Sequence, residues 1–378
     1  MSANFRVSGV DTDEVFIPKD AIWGPGERNT LWAWGHNAYG QLGDGTLTNK
    51  SSPIQVGSLV DWNKSSCGSD HTIARKTDGT VWAWGHNIYG QLGDGTTTNR
   101  SSPVQVGTAS TWVDVASGNY YNLARRNDGT LWSWGLNNYG QLGHNNISNL
   151  SNPAQIGSLS TWIAVACGEY HSVACKTDGT LWSWGQNTYG QLGDGTRTHK
   201  SSPIQIGSLT TWSAVSRSYY HNLARKTDGT LWSWGLNNYG QLGDGTRTDR
   251  SSPVQIGSLT TWSYATCGSR HSLACKTDGT LWMWGGNNVG QLGDGTRTHK
   301  SSPIQIGSLT TWSAVSGGYY HNLARKTDGT LWSWGQNNYG QLGDGSVLNR
   351  SSPVQIGSST DWTATSCGAY HTVAARMI

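Results

Sequence analysis

"LWSWGLNNYGQLGDGT", residues 231–246, decides the fold. Close copies begin at 31, 81, 131, 181, 281 and 331, so the string returns every 50 residues without insertion or deletion. A fixed period of this size marks a repeat architecture, in which one unit cannot bury its own faces and neighbours must stack. A second period underlies the first. Residues 196–216 equal 296–316 letter for letter, as do 219–235 and 319–335. Cys175 and Cys275 alternate with Arg125, Arg225 and Arg325 at one position. The chain grew by copying a pair of repeats.

Each repeat carries four short strand candidates. In one turn of the cycle they are His221–Lys226, Thr230–Gly235, Pro253–Gly257 and Trp262–Cys267. Asp228-Gly229 joins the first two and predicts a tight hairpin in which both central residues have φ > 0. Pro253 starts a strand, where its missing N–H is harmless. Helical periodicity with caps is absent from the repeat. Four strands per repeat, arranged radially, predict an all-β fold, a seven-bladed β-propeller with four antiparallel strands per blade. Tryptophans this dense, 22 in the chain, read as blade-to-blade packing. The strand at Leu31–Gly35 begins the first repeat without its hairpin partner, and the strand from His371 ends the chain without its own. Pairing Thr30–Gly35 with residues near 371–377 closes the ring and removes its open edges.

The consensus "GxxHxxAxxxDGTLWxWGxNxxGQLGDG" resembles the repeat of the regulator of chromosome condensation family over residues 30–378. The resemblance implies the seven-bladed propeller. Functions in that family range over guanine-nucleotide exchange on a small GTPase, chromatin binding and ubiquitin-ligase regulation, and many prokaryotic members have no known role. The exchange factor adds an inserted wing and a basic tail to its propeller. Here every repeat keeps its period, and the segment "MSANFRVSGVDTDEVFIPKDAIWGPGERN" is mildly acidic. Near-identity among repeats reads as recent amplification and suits a bacterial or phage member.

Composition narrows the function classes. Net charge is +3 and charged residues make up 13%, too mild a balance to point to nucleic acid without a basic stripe. No apolar run reaches the length of a membrane span, and residues 1–30 hold no signal-peptide core. His71, His171, His221, His271, His321 and His371 recur at one strand position, with Tyr121 in their place once. A metal reading fails on spacing. His171 and Cys175 share a strand face about 13 Å apart, whereas zinc ligands lie about 2 Å from one ion. Each histidine is expected to bond loop backbone within its blade. Cys67, Cys167, Cys175, Cys267, Cys275 and Cys367 read as free, buried thiols, because Ser117 or Gly317 substitutes at the same positions. Asp244 and Asp228 read as loop hydrogen-bond acceptors. No nucleophile elbow, phosphate loop or zinc-protease motif occurs, so neither catalysis nor a cofactor is expected.

Function is expected where the repetition fails. Alternate turns of antiparallel strands lie on opposite faces of the ring. The Asp-Gly hairpins and "GSLTTW" turns share one face and hardly vary. The other face carries the long "NxYGQLGDG" connection and the dipeptide before each histidine. Those dipeptides are Ser69-Asp70, Asn119-Tyr120, Glu169-Tyr170, Tyr219-Tyr220, Ser269-Arg270, Tyr319-Tyr320 and Ala369-Tyr370. The position after Trp-Gly varies from His36 and His86 to Leu136, Gln186, Leu236, Gly286 and Gln336. Lys50, Arg100, Arg197, Lys200, Arg247, Arg250, Arg297, Lys300 and Arg350 lie on the same connection, so the face reads as aromatic and basic. Tyr120, Tyr170, Tyr219, Tyr220, Arg270, Tyr319, Tyr320 and Tyr370 form the candidate ligand face, suited to a surface glycan, an anionic group or a receptor. Residues 1–29 precede the repeats. Phe5, Val7, Val15, Phe16 and Ile17 make a candidate docking segment, similar to short N-terminal segments that attach phage tail and virion proteins to an assembly. The setting these features suggest is a non-enzymatic virion tail fibre or spike, partnered with another tail protein through residues 1–29. The alternative is a cellular regulator of the chromosome-condensation type, acting on a GTPase or chromatin.

Overall fold

Trp234 shows why the strands stack as blades. Its ring is fully buried, and its Nε1–H donates to Gln191 O of the preceding blade at 3.0 Å. The same bond recurs at Trp34, Trp84, Trp134, Trp184, Trp284 and Trp334, each to the glutamine carbonyl of the blade before. A computed structural model describes residues 28–216 and 219–378, and these form seven four-stranded antiparallel sheets in a ring. Phe5, Val7, Val15, Phe16 and Ile17, the docking-segment candidates, lie outside the described residues.

A representative blade runs from Trp262–Cys267, nearest the axis, through His271–Lys276 and Leu281–Gly285 to Lys300–Gln305 at the rim. The inner strands of the blades surround an axial cavity of about 150 Å³, lined mostly by Ala, Ser and Thr. Small side chains there let seven strands converge. Within this blade, the inner-strand tryptophan Trp262 meets Trp282 edge-on and Trp284 at a tilt, with ring centroids 6.2 Å apart in both cases. Lys276 lies over the Trp282 ring at 3.7 Å, so its aliphatic stem covers apolar surface and its charge meets a π-face.

The ring closes as expected. Asn29–Gly35 pairs antiparallel with the last strand, from Asn29 opposite Met377 to Gly35 opposite His371. That closing sheet joins both ends of the described chain and completes the seventh four-stranded blade.

Three local expectations need correction. The third strand starts at Leu231, and the rim strand spans Arg250–Gln255 where Pro253–Gly257 was expected. Gly257 has φ +59 and turns the chain toward the next blade. Asp228-Gly229 is not a turn with two left-handed residues. Only Gly229 has positive φ, and its N–H donates to Lys226 O at 3.0 Å. Asp228 instead accepts from Thr230 N and Thr230 Oγ1, which fixes a longer hairpin with one left-handed glycine. The histidines do not bond loop backbone within their own blade. His171 Nε2 meets Asn222 Oδ1 of the next blade at 2.8 Å, His271 meets Asn322 at 2.6 Å, and His221 meets Ser272 Oγ at 2.9 Å. Where Tyr121 replaces histidine, its hydroxyl donates to His171 O. All six cysteines are buried.

Candidate functional site

The variable dipeptides sit in the turn between the inner strand and the histidine strand, at one mouth of the axial cavity. This is face A. The two positions of each dipeptide have separate duties. The first points inward and is buried in most blades: Ser69, Asn119, Glu169, Tyr219, Ser269 and Ala369. Its backbone ties the turns together. Ser69 N donates to Asn119 O at 3.0 Å, Asn119 N to Glu169 O at 3.2 Å, and Glu169 N to Tyr219 O at 3.0 Å. Ser269 N donates to Tyr319 O and Ala369 N to Ser69 O, each at 3.3 Å. The mouth is therefore a belt of blade-to-blade backbone bonds, and the side chains on it are free to differ.

The second position is half-buried in every blade and in most reaches back to the long loop of the preceding blade. Ring centroids are 5.4 Å apart for Tyr120 with Tyr89, Tyr170 with Tyr139 and Tyr370 with Tyr339, and 5.6 Å for Tyr220 with Tyr189. At the equivalent place Arg270 lies over the Tyr239 ring at 4.9 Å, and its Nη1 donates to Tyr239 Oη at 2.7 Å. Glycine shapes the loop that carries these tyrosines. Gly243 has φ +72, and a Cβ there would sit 2.7 Å from Trp284 Nε1 of the next blade.

All eight candidate residues are on this mouth, with different roles. Tyr219 is 3% exposed and belongs to the floor. It meets Tyr319, centroids 4.9 Å apart, so tyrosines from blades two apart touch across the mouth. Tyr319 also meets Tyr320 at 4.6 Å and stacks on Tyr370 at 5.8 Å, with an interplanar angle of 23°. Burial pushes the phenol pKa of Tyr170 and Tyr370 up to about 12, and that of Tyr120 and Tyr220 further, so all four stay protonated donors.

The face is less basic than the sequence suggests. Arg100, Arg250 and Arg350 pair with Asp94, Asp244 and Asp344 of their own loops at 2.8–2.9 Å. Lys50 approaches Asp44 at 3.5 Å, and Lys200 and Lys300 approach Asp194 and Asp294 at 4.0 and 3.9 Å. Arg197 faces Asp249 at 3.6 Å. The position after Trp-Gly is also not a contact surface in most blades. Leu136, Leu236, His86 and Gln186 are buried beneath the tyrosines.

Glu169 is a site residue that the candidate list omits. It is 8% exposed, and among the seven first positions it is the lone carboxylate. Asn119 Nδ2 lies 3.4 Å from Glu169 Oε1 and 3.0 Å from Tyr170 Oη. Burial raises its pKa, opposed by the Tyr220 and Tyr170 hydroxyls and by the Arg270 charge. Across the mouth Asp70 accepts from Gln41 Nε2 at 3.2 Å and lies 3.5 Å from His36 Nδ1. At the opposite end of the cavity Lys64 pairs with Asp114, with Tyr264 also in the lining.

Comparison with known proteins agrees with this architecture. The RCC1-like domain model matches residues 27–263, and the regulator of chromosome condensation (RCC1) repeat matches 278–325 and 328–375. Human WBSCR16 is similar in structure, with TM-score 0.84 and 23% identity over 92% of this chain and 98% of that one. Prp20p from Saccharomyces cerevisiae has TM-score 0.84 and 22% identity, covering 94% of this chain and 93% of its own. Yeast RCC1 (Prp20) in its complex with Kap60 gives TM-score 0.86 and 19% identity, covering 100% and 96%. At these identities the likeness speaks for the fold. The family models together span nearly all the described residues, and this seven-bladed chain belongs to the RCC1-like domain family.

Proposed function

We propose that the protein is a non-enzymatic recognition propeller that binds a partner protein through the mouth of face A. One observation carries this reading. Seven nearly identical blades differ at the mouth, and the differences there install large, stiff aromatic side chains on a rigid backbone belt. RCC1-type propellers act as exchange factors or binding proteins, which supports a role without catalysis. The comparisons favour a cellular regulator over a virion tail component. Prp20p is described by its binding to Gsp1p and histones, and yeast RCC1 by its complex with Kap60. A GTPase or a chromatin protein is therefore the partner class to test first.

The test is a binding measurement with the triple variant Tyr220→Ala, Tyr320→Ala, Tyr370→Ala. Histones and a small GTPase are offered to the wild-type protein, together with a nucleotide-release assay. Loss of binding in the variant, at an unchanged unfolding midpoint, is expected. Full binding by a folded triple variant rejects face A as the partner surface.

A further inference from the structure

The mouth has one asymmetry that the tyrosines do not explain. Glu169 is more than nine-tenths buried, and its Oε2 has no hydrogen-bond donor. Burying a carboxylate without a cation is costly, and the group normally neutralises or finds a partner. Arg270, whose charge acts on Glu169, is itself bonded to Tyr239 and stacked on its ring. The walls beside Glu169 are aromatic: Tyr170 and Tyr220 flank the carboxyl with their hydroxyls, and each is braced from behind by Tyr139 or Tyr189. A carboxylate flanked by phenol oxygens attracts a cation and repels an anion. Arg100, Arg250 and Arg350, loop cations that could have drawn an anionic ligand to this face, are paired with loop aspartates.

We propose that the mouth of face A receives a single basic side chain, lysine or arginine, presented by the partner protein, with Glu169 as its counter-charge and Tyr170 and Tyr220 as its walls. This assignment rests on face A being the partner surface. It also fixes the azimuth at which the partner sits. The other first positions are Ser69, Asn119, Tyr219, Ser269, Tyr319 and Ala369, none of which carries a charge. A propeller with near sevenfold repetition thus offers one cation seat and binds one partner in one orientation.

The experiment titrates the full chain with three capped pentapeptides, glycines flanking a central arginine, lysine or norleucine, and follows the tyrosine ring signals by NMR. The arginine and lysine peptides are expected to perturb Tyr170 and Tyr220 and to bind at least tenfold more tightly than norleucine. Glu169→Gln is expected to abolish that preference with the fold intact, whereas Asp70→Asn across the mouth leaves it unchanged. Equal binding of the three peptides, absence of arginine-peptide binding, or undiminished preference in E169Q overturns the proposal. The partner protein separates this failure from failure of the face itself. If E169Q binds the partner normally and the tyrosine triple variant does not, the cation seat is wrong and the face is right. If both variants bind normally, the face is wrong.

Discussion

Tyr220 and His221 are neighbours in sequence and opposites in role. The histidine position is His in six blades and Tyr in one, and every such residue is fully buried and tied to the next blade. The two positions before it hold Ser, Asn, Glu, Tyr or Ala, then Asp, Tyr or Arg. The difference lies in what each position must satisfy. A buried imidazole has to meet a polar atom of the neighbouring blade at about 3 Å, so its identity is fixed by packing. The mouth positions contribute their backbone N–H and C=O to the belt and leave the side chain unconstrained. Variation is cheap one residue from where it is forbidden, and a ring of copies can thereby acquire one specific site.

The largest effects should come from breaking the repeated half of this contrast. Removal of Asn29–Gly35 takes away the partner of the last strand and leaves two unpaired edges. Loss of the cooperative unfolding transition is expected by circular dichroism, and a native-like transition would show that ring closure is dispensable. Trp234→Ala removes a fully buried indole and its bond to Gln191 and should cost about 3–5 kcal/mol in denaturant unfolding.

Acid should separate the two regions next. Burial holds the pKa of His171 and His271 at about 4 and of His221 and His321 at about 3. In the unfolded chain these groups titrate near about 6.5. Below that pH the unfolded chain takes up protons that the folded chain refuses, so stability falls as pH drops from about 6.5 toward 4. Above about 6.5 both states are neutral and the histidines contribute no slope. Denaturant titrations across this range should show a slope of several protons; a flat profile would mean that the imidazoles are not held neutral. Glu169 acts in the opposite sense. Its raised pKa means that its contribution to stability is lost as pH rises through the folded value. E169Q should therefore match or slightly exceed wild type in unfolding midpoint at pH 7, while losing the cation preference. A marked drop in midpoint would make Glu169 a structural residue.

The smallest expected effect distinguishes the two members of one dipeptide. Tyr220→Ala, at a half-buried position, should cost about 1 kcal/mol, whereas Tyr219→Ala removes a buried ring and its contact with Tyr319 and should cost more. Equal costs in unfolding experiments would erase the division between floor and rim.

Much of this was legible in the sequence. The 50-residue period, the strand-sized segments and the unpaired half-hairpins at the two ends specified seven blades and their closure, because periodicity and edge pairing are local or topological facts. Failure of repetition pointed to the right seven turns. What the sequence could not show is distance. Nothing in "TRTDRSS" says that Arg250 folds back on Asp244, so the face looked more basic than it is, with most of its loop cations paired with aspartates. Nothing in "GEYHS" says that Glu169 points inward with Oε2 short of a donor while Tyr170, the next residue, leans outward on Tyr139. Repetition in the chain determined the scaffold, since identical units can bury their faces only on one another. The tertiary structure decided which variable residues share a space, because that depends on the curvature that brings turns 50 and 100 residues apart to one axis.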